Sequence, residues 1–198
     1  MFTDSDRNSI KIVLASASPR RRELLQRMGI TPEVVKSGAE EDLKETDPQL
    51  LVEALSALKC LDVADKRTDP CIVIGADTVV SADGRILGKP SDEEDAADML
   101  RLISGRAHHV YTGVTLCRME NGKRTAEKTF SVCTEVFVDD LTEDEIRDYI
   151  ATGEPMDKAG AYGIQGAFLK HVNMIRGDYF NVVGLPVNAV YRALKEMA

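Results

Sequence analysis

No two cysteines in this chain are spaced C-x-x-C. The four thiols, Cys60, Cys71, Cys117 and Cys133, lie far apart and only His108, His109 and His171 accompany them, so no zinc site follows. Cys71 and Cys117 fall in or beside apolar, strand-like runs, where free buried thiols are at home, and such thiols suit a reducing cytoplasm. Long apolar runs are missing too. The opening MFTDSDRNS lacks the apolar h-region of a secretory signal, and no run approaches the ~20 residues that cross a bilayer, so a cytoplasmic chain without membrane attachment is expected. Positive charge is in short supply: 25 Lys and Arg against 33 Asp and Glu leave a net charge of −8, which argues against general binding to nucleic acid or anionic membranes. There is no internal repeat, low-complexity tract or obvious linker. A chain of 198 residues can bury one sizeable core, so residues 10–198 are expected to form a single domain behind a disordered or loosely held segment at 1–9.

Against that acidic background, residues 14–25 read LASASPRRRELL. IKIVLA (10–15) has the look of a buried strand; Ser18 and Pro19 give an N-cap and a first helical residue; Gly29 stops the helix. Leu24, Leu25 and Met28 make its apolar stripe, which leaves Ser16, Ser18, Arg20 and Arg21 at the helix mouth, facing away from the core. Cations there oppose the helix dipole. Backbone amides at a helix start hold phosphate well, so the arrangement makes sense if an anion binds.

Further along, a helix is expected from Asp47-Pro48 to about Lys66, with Leu51, Leu55 and Leu58 on one face, Ala54 and Leu61 beside them, and Lys59 at the border. CIVIGADTVV (71–80) reads as a buried strand, turned at Asp83-Gly84 into RILG. Ser91 with Glu94 forms a capping box for a helix ending at Ser104-Gly105. Two long strands, 108–119 and 123–138, are joined at Asn121-Gly122, and Thr142 with Glu145 caps another helix that stops near Gly153. EPMDKAGAYGIQGAF has no clean periodicity and reads as a structured loop, one that can mark a cleft between two lobes, and a terminal helix starts at Pro186. Alternating helices and strands followed by hairpins indicate an α/β (α+β) fold with a mixed twisted sheet flanked by helices.

Asp77, inside IVIGADTVV, carries a heavy desolvation cost unless it is paired, metal-bound or exposed at a strand end. One reading is an aspartate bonded to neighbouring amides at a turn; Gly75-Ala76 and Thr78 around it fit a ligand-facing strand end better. Glu40-Glu41-Asp42 taken alone is a solvated acidic cluster. Together with Asp77 it offers oxygen ligands for magnesium, which takes one or two carboxylates and leaves the rest to water and substrate phosphates. Arg20, Arg21, Lys59 and Lys89 would then hold a polyphosphate, Lys89 on a backbone stiffened by Pro90.

SASPRR (16–21), GADTVV (75–80), LGKP (87–90), GEPMDKAGAYGIQG (153–166) and NVVGLP (181–186), in that order, resemble the Maf family of nucleoside triphosphate pyrophosphatases, and the likeness spans nearly the whole chain after residue 10. The resemblance implies a fold similar to that of the inosine-triphosphate pyrophosphatases, a homodimer, and cleavage of a nucleoside triphosphate to monophosphate and pyrophosphate by metal-assisted attack of water on the α-phosphorus, with Mg2+ or Mn2+. It implies Asp77 as proton acceptor or metal-associated acid, Arg20, Thr78 and Gln165 as positions of substrate choice, and Glu41, Lys59 and Lys89 as polar groups for metal and phosphates. Around Lys59 the chain reads ALKCLDV, where the family has a charged residue before the lysine and alanine after it, so an offset helix is one outcome. KAGAYGIQG resembles the branch that cleaves dTTP and UTP, and the Gln165 amide can donate to O4 and accept from N3–H of thymine or uracil. Two rivals stand beside this reading. One is house-cleaning hydrolysis of non-standard or modified nucleotides. The other takes the Ser-Pro-basic segment as a DNA minor-groove element of a regulatory protein, against which the net charge weighs.

Overall fold

The computed structural model describes residues 10–197; the expectation for 1–9 lies outside the described residues. In chain order the elements are β1 (Lys11–Leu14), α1 (Pro19–Arg27), β2 (Glu33–Val34), α2 (Pro48–Ala64), β3 (Cys71–Ala82), β4 (Arg85–Leu87), α3 (Glu93–Ile103), β5 (Ala107–Glu120), β6 (Lys123–Val138), α4 (Glu143–Ile150), β7 (Val172–Arg176), α5 (Tyr179–Val183) and α6 (Val187–Met197). Three 3₁₀ turns, at Glu154–Asp157, Ala159–Ala161 and Ala167–His171, fill the stretch between α4 and β7. The seven strands form one mixed sheet in the order β2-β1-β3-β5-β6-β7, with β4 paired to β3. β1 runs parallel to β2 and β3, and the remaining pairs are antiparallel.

The turns behave as their residues dictate. Asp83-Gly84 and Asn121-Gly122 all take positive φ, the geometry of tight hairpins whose twist matches the strands. Thr142 and Glu145 form the reciprocal capping box of α4. At α3 the cap is one residue later than expected: Asp92 receives the Asp95 N–H at 2.9 Å, while Ser91 donates its N–H and hydroxyl to the Asp95 carboxylate. SDEED offers two overlapping caps, and α3 starts on the one at Asp92, without the reciprocal bond of a full box.

Strand alternation divides the core. Ile72, Ile74, Ala76 and Val80 of β3 join Leu24 and Leu25 of α1 and the helices around them in the larger cluster. Cys71 and Val73 meet Cys60, Val63 and Ala64 of α2 on the other face. The buried side of α2 differs from the expected stripe: Val52, Leu55, Ser56, Cys60, Val63 and Ala64 are covered, Ala54 is exposed, and Leu51, Leu58 and Leu61 are only partly buried. Steric size decides this rotation. An added Cβ at Gly75 would collide with the Ser56 carbonyl and sit 2.7 Å from the Cys60 Cβ, and one at Gly113 would meet the Val52 peptide. The helix backbone therefore lies in two glycine slots of the sheet, where small side chains fit and leucines do not.

Candidate active site

β3 is paired along one edge by β1 through residues 71–74 and by β4 through residues 80–82. Between them, residues 75–79 have no strand neighbour on that edge. Asp77 and Thr78 thus lie mid-strand rather than at a strand end, and the interruption in the ladder gives them the open side that the sequence suggested. Alternation sends their side chains to opposite faces. Asp77 turns toward α2, where its Oδ1 accepts from the Lys59 Nζ at 2.6 Å. Glu41, on the segment before α2, takes the same ammonium at 2.9 Å. Lys59 and Asp77 are each 14% exposed and Glu41 is half exposed, so one cation anchors two carboxylates at the lip of a cavity. The helix thus presents Lys59 to Asp77 and Glu41.

Thr78 faces the other way, its hydroxyl 2.9 Å from that of Thr112 directly across the ladder and 3.1 Å from Arg21 Nη2. Arg21 departs from its expected place among free phosphate-holding cations. Its guanidinium also donates to the carbonyls of Gly184 (2.9 Å) and Ala76 (2.8 Å) and to Ser16 Oγ (3.2 Å). Four of its five N–H donors reach protein acceptors as a result. Burial pushes the Arg21 pKa down, against the opposing charge of Asp77. One side chain thereby ties together the serine segment, β3 and the turn after α5.

The helix mouth remains open for a ligand. Ser18 occupies the N-cap of α1 with Pro19 after it, but its side chain makes no capping bond. Ser16 Oγ accepts from the Ser18 N–H at 3.2 Å and from Arg21, which leaves its own proton free to donate. Arg20 pairs with Asp157 of the first 3₁₀ turn at 3.1 Å, and Arg22 is exposed. Burial raises the Asp157 pKa, but the bonds from Lys158 and Arg20 outweigh it and hold the carboxyl below its usual range. Lys89 and Gln165 are exposed and make no hydrogen bond to the described protein, and both reach the same cavity of about 1030 Å³. All ten residues singled out from the sequence line it: Ser16, Ser18, Arg20, Arg21, Glu41, Lys59, Asp77, Thr78, Lys89 and, on the facing loop, Gln165. Lys36, Glu154, Asp157 and Lys158 were not anticipated. The signal for Glu154, Asp157 and Lys158 was a place inside the GEPMDKAGAYGIQG block, and Lys36 carried none, since no periodicity marks it.

A match to the family described as Maf-like protein extends over residues 11–197. The chain belongs to the Maf family. This Maf protein is 48% identical over 186 residues to a dTTP/UTP pyrophosphatase of Lachnoclostridium phytofermentans, covering 94% of each chain. It is 49% identical over 188 residues to a dTTP/UTP pyrophosphatase of Geobacillus sp. (strain WCH70), covering 94% of this chain and 98% of that one. Among solved structures, the Staphylococcus aureus Ham1 protein aligns over 95% of this chain and 100% of its own with 13% identity and a TM-score of 0.48, too loose a likeness to carry an argument. Among the described residues no helix is long and apolar enough to cross a membrane.

Proposed function

We infer that this Maf protein hydrolyses nucleoside triphosphates, dTTP and UTP foremost, to the monophosphate and pyrophosphate. The names of its relatives support the reaction class. The observation that carries the reading is the Asp77–Lys59–Glu41 cluster at the break in the sheet edge, facing unpaired polar groups across one cavity. An acid, fixed cations and a free amide across a single space are what triphosphate cleavage with base selection requires.

Asp77 is placed to accept the proton of a water that attacks the α-phosphorus, with Lys59 holding the carboxylate in position at 2.6 Å. Arg20, Lys89 and the open first turn of α1 receive the polyphosphate, whose charge grows on the departing pyrophosphate. Arg20 must exchange Asp157 for phosphate, an inexpensive step because that pair is exposed. Arg21, with its donors committed to protein, keeps Thr78 and the serines in place. Gln165 pairs with the O4 and N3–H edge of the pyrimidine.

The donor set fits a divalent ion. Asp77 and Glu41 converge on one positive centre, and two carboxylates are the usual protein share of a Mg2+ or Mn2+ site completed by water and phosphate oxygens. No group of three or more His, Cys, Asp or Glu side chains that could cage a metal occurs among the described residues. Asp77 and Glu41 are the residues that would hold such an ion beside Lys59, and it would neutralise charge on the phosphate oxygens. A reducing cytoplasm suits the three buried free thiols Cys60, Cys71 and Cys117. The homodimer is a separate expectation for light scattering to test.

Hydrolysis across a panel of dTTP, UTP, CTP, GTP and inosine triphosphate, with monophosphate and pyrophosphate quantified, tests the assignment. Preference for dTTP and UTP with pyrophosphate as co-product is expected. Release of inorganic phosphate instead, or preference for the purine analogue, overturns it.

A further inference from the structure

Gln165 sits on a tight turn: the Gly166 N–H donates to the Gly163 carbonyl at 3.1 Å, with Ile164 and Gln165 as the two central residues. Ile164 is buried and Gln165 exposed, so the turn is sunk on one side and offers its amide on the other. Its backbone is gripped at both ends by one pair of side chains. Before Gln165, the Gly163 N–H donates to the Tyr149 hydroxyl at 3.0 Å. After it, the Ala167 N–H donates to Glu154 Oε2 at 2.9 Å. The Tyr149 hydroxyl closes the circuit by donating to Glu154 Oε1 at 2.9 Å.

Both partners are themselves fixed. Glu154 donates its N–H to Thr152 Oγ1 at 3.1 Å and accepts Lys158 Nζ on its carbonyl at 3.2 Å. The Tyr149 ring packs 5.1 Å from that of Phe168, and burial pushes the phenol pKa up, so the hydroxyl keeps the proton that it gives to Glu154. The glycines flanking the turn are cut to the carboxylate. An added Cβ at Gly163 would come within 2.9 Å of Glu154 Oε1, and one at Gly166 would overlap the carboxylate itself. The Tyr149 hydroxyl and the Glu154 carboxylate make no contact with Asp77 or Lys59; the one link toward Arg20 runs from the Glu154 backbone carbonyl through Lys158 and Asp157, and a change of side chain at Tyr149 or Glu154 leaves it in place.

We propose that Tyr149 and Glu154 are positioning residues for base selection: they clamp the peptide on both sides of Gln165 and thereby fix where its amide meets the base. The inference rests on the reading of Gln165 as the group that pairs with the pyrimidine. A discriminating hydrogen bond is effective only when its donor and acceptor are held in place before the ligand arrives. Tyr149→Phe keeps the ring and removes both bonds of the hydroxyl. Glu154→Gln keeps the shape, but its amide oxygen must serve Ala167, which turns an NH2 toward Tyr149 and leaves the tyrosine proton without its acceptor. Either change frees the turn without touching Asp77, Lys59 or Arg20.

The test is the ratio of kcat/KM for UTP to that for CTP in wild type, Tyr149→Phe, Glu154→Gln, Gln165→Ala and the Tyr149→Phe/Gln165→Ala double variant. Each clamp variant should lose most of the wild-type ratio, about threefold or more, while kcat/KM for CTP moves by less than about threefold. The double variant should match Gln165→Ala within about twofold in the ratio, since both changes act on one contact. Equal losses for UTP and CTP, with the ratio kept, would mark the clamp as merely structural and overturn the proposal. If Gln165→Ala flattens the ratio but both clamp variants retain it, the proposal fails and base reading by Gln165 stands. A wild-type ratio in Gln165→Ala removes the base-reading role, and the clamp proposal with it.

Discussion

Replacing Asp77 by asparagine separates the carboxylate's charge from its shape. Breaking a fully buried ion pair by removing one partner costs ~3–5 kcal/mol. Three features here soften that penalty. Both side chains keep 14% exposure, Lys59 retains Glu41 at 2.9 Å, and the asparagine oxygen still accepts from the ammonium. The stability loss should therefore be about 1 kcal/mol, a fall in Tm of roughly 2–4 °C for a chain of this size. Loss of a proton acceptor from the reacting water is far larger, about 10²–10⁴-fold in kcat, or ~3–5 kcal/mol in the barrier. Pyrophosphate release from saturating UTP and dTTP, measured beside thermal melts of the same preparation, reads both quantities. A folded Asp77→Asn protein whose kcat lies within about tenfold of wild type would remove Asp77 from the chemistry.

Arg20→Ala should lower kcat/KM for UTP about 10–100-fold, the worth of a charge-assisted hydrogen bond to phosphate, whereas the exposed Arg22→Ala should change it less than about twofold. Equal damage from the two would place the helix mouth in the wrong register. Gln165→Glu should depress dTTP and UTP cleavage, because a carboxylate cannot donate to O4, and steady-state kinetics showing unchanged UTP turnover would refute the contact. His108 is buried with its Nε2 2.7 Å from the Tyr162 hydroxyl, and burial lowers its pKa from 6.5 to about 4. Between those values the unfolded chain binds a proton that the folded chain refuses, so this contribution is complete above pH 6.5 and is lost as pH falls toward 4. Melting curves over that window should slope less in His108→Gln than in wild type; identical slopes would refute the assignment.

Legibility in the sequence followed from how local the signal was. The hairpins at Asp83-Gly84 and Asn121-Gly122, the Thr142–Glu145 box and the Pro19 helix start are written in two to four neighbouring residues, and each formed as expected. The face of α2 was misjudged because Gly75 and Gly113, on a different element, decide which residues can approach. β2, β7 and α5 are two to five residues long, too short for any period to show. The role of Arg21 was hidden for a related reason: a run of three arginines looks uniform, and only the fold brings Gly184, Ala76 and Thr78 to the second of them. Motif order picked out the cavity-lining groups, but which are free and which are spent on protein is a property of the assembled chain.

The two glycine slots beneath α2 also set limits on variation. Gly75 and Gly113 face the helix backbone and touch no group proposed to meet the substrate, yet any side chain at either would lift α2 from the sheet. Lys59 rides on that helix, and its 2.6 Å contact with Asp77 has no slack to absorb an ångström of displacement. In a library of random substitutions these positions should therefore be depleted as strongly as the acid itself. Gln165 belongs to a different part of the chain and is exposed, so that position, unlike the glycines beside it, should accept exchanges that redirect substrate choice. Directed evolution should therefore change substrate choice through Gln165 and spare the helix–sheet seam.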